Sequence, residues 1–182
     1  MTAADPVTRA ELIAALNATR DDVSTYFGAL DPQAFTAGSD ERWSPAHHLD
    51  HLTRATTPVA AGLGISLHLL APREPGVASR SYAEVRAAYL AALAGGQKAF
   101  GRYLPSPDGD QTAIVARYTD AMNTLLENLA HWFDADLDAC SMPHPVLGTI
   151  SVREMLHFTH YHNHHHLCGV QTGVGPAARG SP

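Results

Sequence analysis

Six of the chain's twelve histidines fall between His157 and His166, inside a segment that reads as one capped helix. Ser151 and Glu154 form a capping box, in which each side chain satisfies an exposed N–H at the helix start, and the helical pattern ends near Gly173. One helix cannot send six imidazoles in one direction, so the cluster must be sorted by angle. Residues four apart differ by about 40° around the axis, so His162 and His166 project from nearly the same side. Met155, Phe158, Thr159, His165 and Gly169 share that side, a largely apolar or small set that is expected to face a core. Arg153, His160, His164 and Gln171 lie opposite, on an expected solvent face, with His157 on the outer flank and His165 undecided. Two buried imidazoles without a partner would be costly to desolvate, so the HisxxxHis pair points to an ion held between them. The run His164, His165, His166 lies within the capped helix and precedes a further 16 residues, so it is not a purification tag.

The rest of the chain is punctuated into helices of similar kind. Val7, Leu12, Ile13, Leu16, Val23, Tyr26 and Leu30 make one core-facing stripe and predict a helix over 7–30. A turn-forming stretch follows, and Ser44 with Pro45 opens a second helix that is expected to run to about residue 70 with a kink at Pro58. Ser81 and Glu84 cap a third over 81–103, and a fourth spans about 112–133 with Ile114, Tyr118, Met122, Leu125 and Leu129 at helical spacing. No segment alternates apolar and polar residues long enough for a convincing strand, although 145–150 could be briefly extended. The expectation is an all-α bundle of four long helices with one accessory helix, in a single domain over 1–174 with a disordered tail at 175–182.

Composition narrows the function classes. A net charge of −6, with no basic run, excludes a surface built to neutralise nucleic-acid phosphates. The start of the chain has no basic segment followed by an apolar one, and no stretch is long and apolar enough to span a membrane, so a cytoplasmic location is expected. Cys140 and Cys168, far apart and without CxxC spacing, read as two buried or half-buried thiols rather than a disulfide.

A mononuclear site needs at least three protein ligands, so the third must come from another element. The second helix offers His47, His48 and His51. His51 is favoured because it shares its side with Ser44, Ala55, Pro58 and Gly62, small residues that leave room for an ion and a neighbouring helix.

Two stretches resemble a known family. TrpSerProAlaHisHisLeuAspHisLeu at 43–52 looks like the second-helix motif of the DinB/YfiT-like superfamily, and the segment from Pro143 to Leu167, ending in TyrHisAsnHisHisHisLeu, resembles its last-helix motif. The resemblance implies a four-helix bundle of up-down-down-up type whose ligands are His51, His162 and His166, with at least one coordination position left open. The 81–104 segment departs from the family pattern by adding a helix before its third core helix. Some members are thiol-dependent transferases or isomerases, so the resemblance further implies a small-molecule substrate, a low-molecular-weight thiol and a homodimer.

Three neutral imidazoles would leave a divalent ion its full charge, able to make a bound water or thiol acidic. Imidazole suits zinc or nickel, and iron is admissible. The expected activity is a metal-dependent S-transferase or hydrolase; the alternative is a non-catalytic metal-binding or stress-response bundle, favoured if His47 or His165 closes the coordination sphere. Tyr118, Asp120 and Glu127 are candidates for a general base, with nothing in their spacing to choose among them. A di-iron bundle needs paired GluxxHis motifs, and Glu154xxHis157 is the only convincing copy. No HisGluxxHis occurs, which argues against a zincin protease.

Overall fold

Each long helix begins where a side chain can cap it. Thr8 and Glu11 form a reciprocal box at the start of α1 (Arg9–Ala29), and Asp31 with Pro32 starts the short α2 (Pro32–Thr36), which plants Phe35 in the core within a stretch expected to be turn. Ser44 caps α3 (Pro45–Leu63), Ser81 with Glu84 caps α4 (Tyr82–Ala94), Asp110 caps α5 (Gln111–Leu129), and Ser151 with Glu154 caps α7 (Val152–Thr172). Between the last two lie α6 (Asp134–Ala139) and a hairpin of β2 (Cys140–His144) and β3 (Gly148–Ser151), to which β1 (Ala71–Pro72) adds an edge. This computed structural model describes residues 5–39, 42–66, 69–74 and 76–173; the expected tail at 175–182 lies outside them.

The helices α1, α3, α5 and α7 form the bundle: α5 packs on both α1 and α3, and α7 closes the ring against the same two. Leu12, Leu16 and Phe27 of α1, Leu49 and Leu52 of α3, Tyr118, Met122 and Leu125 of α5, and Leu156 of α7 are sealed from solvent in one continuous core. The helix α4 packs outside the ring on α7, the position expected of an accessory element.

Three boundaries differ from expectation, two of them at glycines. The helix α3 runs through Pro58 without a break and stops at Leu63, because Gly64 caps it where continuation towards residue 70 was expected. The helix α4 stops at Ala94 rather than 103, at the pair Gly95 and Gly96, the latter at φ 89°, a left-handed conformation that glycine adopts without steric penalty. A 3-10 turn over Gly101–Tyr103 follows. The helix α5 likewise ends at Leu129 instead of reaching 133.

The sheet is the larger correction. The strands pair antiparallel in the order β1-β2-β3, with Met142 opposite Ile150 and His144 opposite Gly148. Four of the five residues of β2 are buried, so the strand shows no apolar–polar alternation to read. The hairpin presses on the bundle at Gly62, where an added Cβ would sit 2.0 Å from Met142 Cε. The space beside Gly62 in α3 is therefore filled by the hairpin and not by a helix.

A candidate three-histidine metal centre

Residues His48 and His51, in the first two turns of α3, meet His166 and His162, in the C-terminal half of α7. The order of the contacts, His48 with His166 and His51 with His162, shows that the two helices run antiparallel here. The Nε2 atom of His162 lies 3.2 Å from that of His51 and 3.0 Å from that of His166. One ligand atom from each of the three falls within 4.8 Å of the others, and all three residues are buried. The three histidines named from the sequence are thus brought together.

Hydrogen bonding on the far side of the rings decides what those nitrogens can do. The Nδ1–H of His51 donates to the Tyr103 carbonyl at 2.7 Å, which leaves Nε2 with a lone pair facing its neighbours. His166 Nδ1 is 2.8 Å from His48 Nδ1, so one of these two carries the shared proton. Burial lowers the affinity of all three rings for a second proton, pushing His162 and His166 well below the ordinary imidazole value, and the neighbouring imidazoles push them the same way. Neutral imidazoles whose Nε2 atoms converge can each turn a lone pair to a transition metal once that nitrogen is unprotonated. Two nitrogens bound tetrahedrally to one ion at about 2.0–2.1 Å stand roughly 3.3 Å apart, close to the two separations that His162 makes with its neighbours. The donor set fits a single divalent ion.

Other side chains hold the centre in place. The Trp43 ring stacks on His166 at 6.1 Å and 14° and lies 5.0 Å from His51, so it is a core anchor that also covers the imidazoles. Trp132 is an anchor alone, donating from Nε1 to the Leu63 carbonyl. Asp50, beside His51 and buried, accepts at 2.7 Å from both Arg54 Nε and the Ser106 amide. Together with the His51–Tyr103 bond, this ties the 101–106 strap to α3.

Several histidines are placed otherwise than expected. His157 is buried, not on an outer flank, because the chain entering α1 covers it and the Pro6 carbonyl accepts from its Nε2–H. His160 and His164 are half-buried rather than solvent-facing: α1 packs there, and Thr19 Oγ1 lies 2.8 Å from His160 Nδ1 and 3.2 Å from His164 Nε2. His48 was only an alternative ligand in sequence and stands behind His166; no repeat or spacing separates that role from a ligand's. Cys140 is buried, Cys168 is exposed, and both are free.

The ligand nitrogens line one wall of a cleft of about 760 Å³. Its other walls come from α4, the 97–103 segment and the hairpin, with Tyr89, Leu93, Phe100, Met142, Val146 and Phe158 giving it an apolar character. None of the three candidate bases borders it: Asp120 and Glu127 are exposed on α5, and Tyr118 donates to Asn163 Oδ1 deep in the core. Glu154 caps α7 and pairs with Arg80, so the lone GluxxHis is a structural feature. Among the described residues no helix is long and apolar enough to cross a membrane.

Comparison with known proteins agrees with this architecture. No curated protein matches the chain. Among solved structures, the four-helix bundle protein TT2238 is similar with a TM-score of 0.59 at 20% identity, over 91% of this chain and 99% of that one, a likeness of fold. The family model of the DinB superfamily matches residues 15–168, which include both histidine-bearing helices, and the chain belongs to that superfamily.

Proposed function

We propose that the chain is a metal-dependent enzyme acting on a small molecule in the cleft, with His51, His162 and His166 holding one divalent transition-metal ion. The observation that carries this reading is the opening of the three-histidine wall onto a cleft large enough for a substrate. When bound, the ion supplies a positive charge that makes a water or a low-molecular-weight thiol acidic near neutral pH, which suits S-transfer or hydrolysis. Zinc or nickel fits three neutral imidazoles best, and iron is also compatible.

The protein's own residues bind, orient and exclude water. Tyr103 fixes the tautomer of His51, His48 shares a proton with His166, Trp43 shields the rings, and the apolar walls favour a compact substrate over bulk water. A fourth protein ligand would favour the non-catalytic reading, and the two candidates, His47 and His165, make other contacts. The Ser44 hydroxyl lies 2.7 Å from His47 Nδ1, and His165 packs against Tyr89 and Tyr161 outside the three-residue group.

The test is elemental analysis of untagged protein beside a His51→Ala, His162→Ala, His166→Ala triple variant, followed by a thiol-consumption screen against epoxides, alkyl halides and activated esters. About one equivalent of metal and metal-dependent turnover, both absent from a folded triple variant, are expected. Metal-free wild type that takes up no added zinc, nickel or iron would overturn the reading.

A further inference from the structure

The hairpin turn carries a histidine that the metal centre does not use. His144 ends β2, and its Nδ1 accepts two backbone N–H groups, from Val146 at 3.1 Å and Leu147 at 2.9 Å. A ring nitrogen that accepts twice bears no proton, and burial, which pulls this imidazole down to about 4, keeps the ring neutral. The proton of His144 is therefore on Nε2.

No described residue accepts from that Nε2–H, yet it is absent from the polar atoms sealed away without a partner, of which His157 Nδ1 is the single example among described residues. His144 is only 7% exposed and lines the cleft, which is where an unsealed Nε2–H on so buried a residue can find an acceptor. Its position is defined relative to the ligands: the ring lies 4.2 Å from Phe158, and Phe158 stacks on His162 at 4.9 Å and 20°. One phenyl ring thus separates a fixed N–H donor from a candidate metal ligand. Closing the turn does not by itself call for histidine, since the side chain of Asn or Asp accepts from the same amides. What histidine adds is the second nitrogen at the far end of the ring.

We propose that His144 is a substrate-binding residue whose Nε2–H donates to an oxygen acceptor, such as a carbonyl or carboxylate, on a molecule whose other end lies at the three-histidine centre. The cleft then selects compact molecules with a nucleophilic or metal-binding head, a short apolar body against Phe158 and Met142, and an oxygen acceptor near the hairpin. This rests on the reading of the cleft as the reaction site, and the experiment separates the two.

Cobalt(II)-loaded protein is titrated with sulfanyl ketones having two to four methylenes between sulfur and carbonyl, and with the alkanethiols that lack the oxygen. The near-ultraviolet thiolate-to-cobalt band is the readout. The best-fitting ketone is expected to bind the wild type about fivefold more tightly than its matched alkanethiol, the net worth of one neutral hydrogen bond. In His144→Asn, which keeps a turn acceptor but shortens the reach, the preference disappears while alkanethiol binding is unchanged. His144→Gln, which can place an N–H further out, recovers part of it. Nitrogen-15 spectra of the metal-free protein should show the Nε2–H tautomer for His144. A preference unchanged in His144→Asn, an equal loss of both ligands, or an Nδ1–H tautomer overturns the proposal. Absence of a thiolate band with any thiol in the wild type overturns the reaction-site reading, and this inference with it.

Discussion

Replacing His162 by leucine separates the two things a buried histidine cluster can do for a protein. Its Nε2 is the shared neighbour of His51 and His166, and its ring is buried at the cleft wall, stacked on Phe158 and edge-on to Tyr89. In metal-free protein the one hydrogen bond its Nε2 can make to either neighbour is worth about 0.5–1.5 kcal/mol, and losing it strands a buried polar nitrogen at a further 1–3 kcal/mol or so. Against that, a leucine of similar bulk buried between Phe158 and Tyr89 contributes roughly 1.5–3 kcal/mol. The two sides nearly cancel, and the metal-free variant should unfold within about 2 kcal/mol of wild type.

Metal-dependent stability should behave quite differently. An ion at a hundred times its dissociation constant stabilises the native state by about 2.7 kcal/mol, which for a chain of this size raises Tm by roughly 5–11 °C. That increment should vanish in His162→Leu because two imidazoles remain where three are needed. The assay is thermal and urea denaturation of both proteins with chelator and with added zinc. A zinc-dependent shift that survives in the variant would refute the assignment of His162 as a ligand. A metal-free variant destabilised by more than about 4 kcal/mol would instead show that the cluster is a structural hydrogen-bond network, since losses of that size mark a broken core.

Asp50→Ala should lower stability by about 1.5–3 kcal/mol and speed hydrogen exchange at Ser106, because the carboxylate holds that amide and Arg54; zinc affinity should fall about tenfold as the Tyr103 carbonyl loosens from His51. If exchange at Ser106 and zinc affinity both stay as in wild type, the strap does not support the centre. Gly62→Ala, whose new Cβ would collide with Met142 Cε at the movable end of a flexible side chain, should cost no more than about 1 kcal/mol net of the helix propensity it gains, and less still in a Met142→Ala background; strictly additive effects in a double-mutant cycle would contradict the contact. Acid should unfold the protein partly through Glu154. Burial opposes its ionisation, but hydrogen bonds from Arg80 and the Ser151 amide outweigh burial and hold the carboxyl below its ordinary value. Its contribution is complete above the unfolded carboxylate range near pH 4 and is lost as pH falls through the lower folded value, so Glu154→Gln should flatten that limb of the stability curve; an unchanged limb would show that other carboxylates carry it.

The parts of this structure legible in the sequence are those dictated by short-range chemistry. Capping boxes at Ser81 and Ser151, the proline after Ser44 and the three-and-four spacing of leucines place the helix starts and their buried stripes, since each depends on residues within a turn or two. The His162–His166 pair follows from the same local geometry. The third candidate ligand is a relation between helices, and side-chain spacing within α3 favours His51 over His47 and His48 only through the small residues that share its face. The strands were hidden for a related reason. Both faces of β2 are covered by elements remote in sequence, so periodicity carries no trace of it, and the α1 contacts that enclose His160 and His164 are equally invisible from α7 alone.

The division between local and long-range information follows the division of labour in the molecule. The ligands project from α3 and α7, two members of the ring, and their helices are positioned by the core through Leu49, Leu52, Leu156 and their neighbours. What faces the ligands across the cleft comes from α4, the 101–106 strap and the hairpin, none of which belongs to the four-helix ring. The strap and the hairpin reach the site through specific contacts, among them Tyr103 on His51, Ser106 on Asp50, Met142 on Gly62 and His144 on Phe158. Changes in these covering segments can therefore alter what enters the cleft while the bundle continues to present the same three nitrogens. On the proposed reading of the cleft, the covering segments and the α3 and α7 residues that line it together shape what reaches the centre, while the candidate metal-holding nitrogens come from the ring alone.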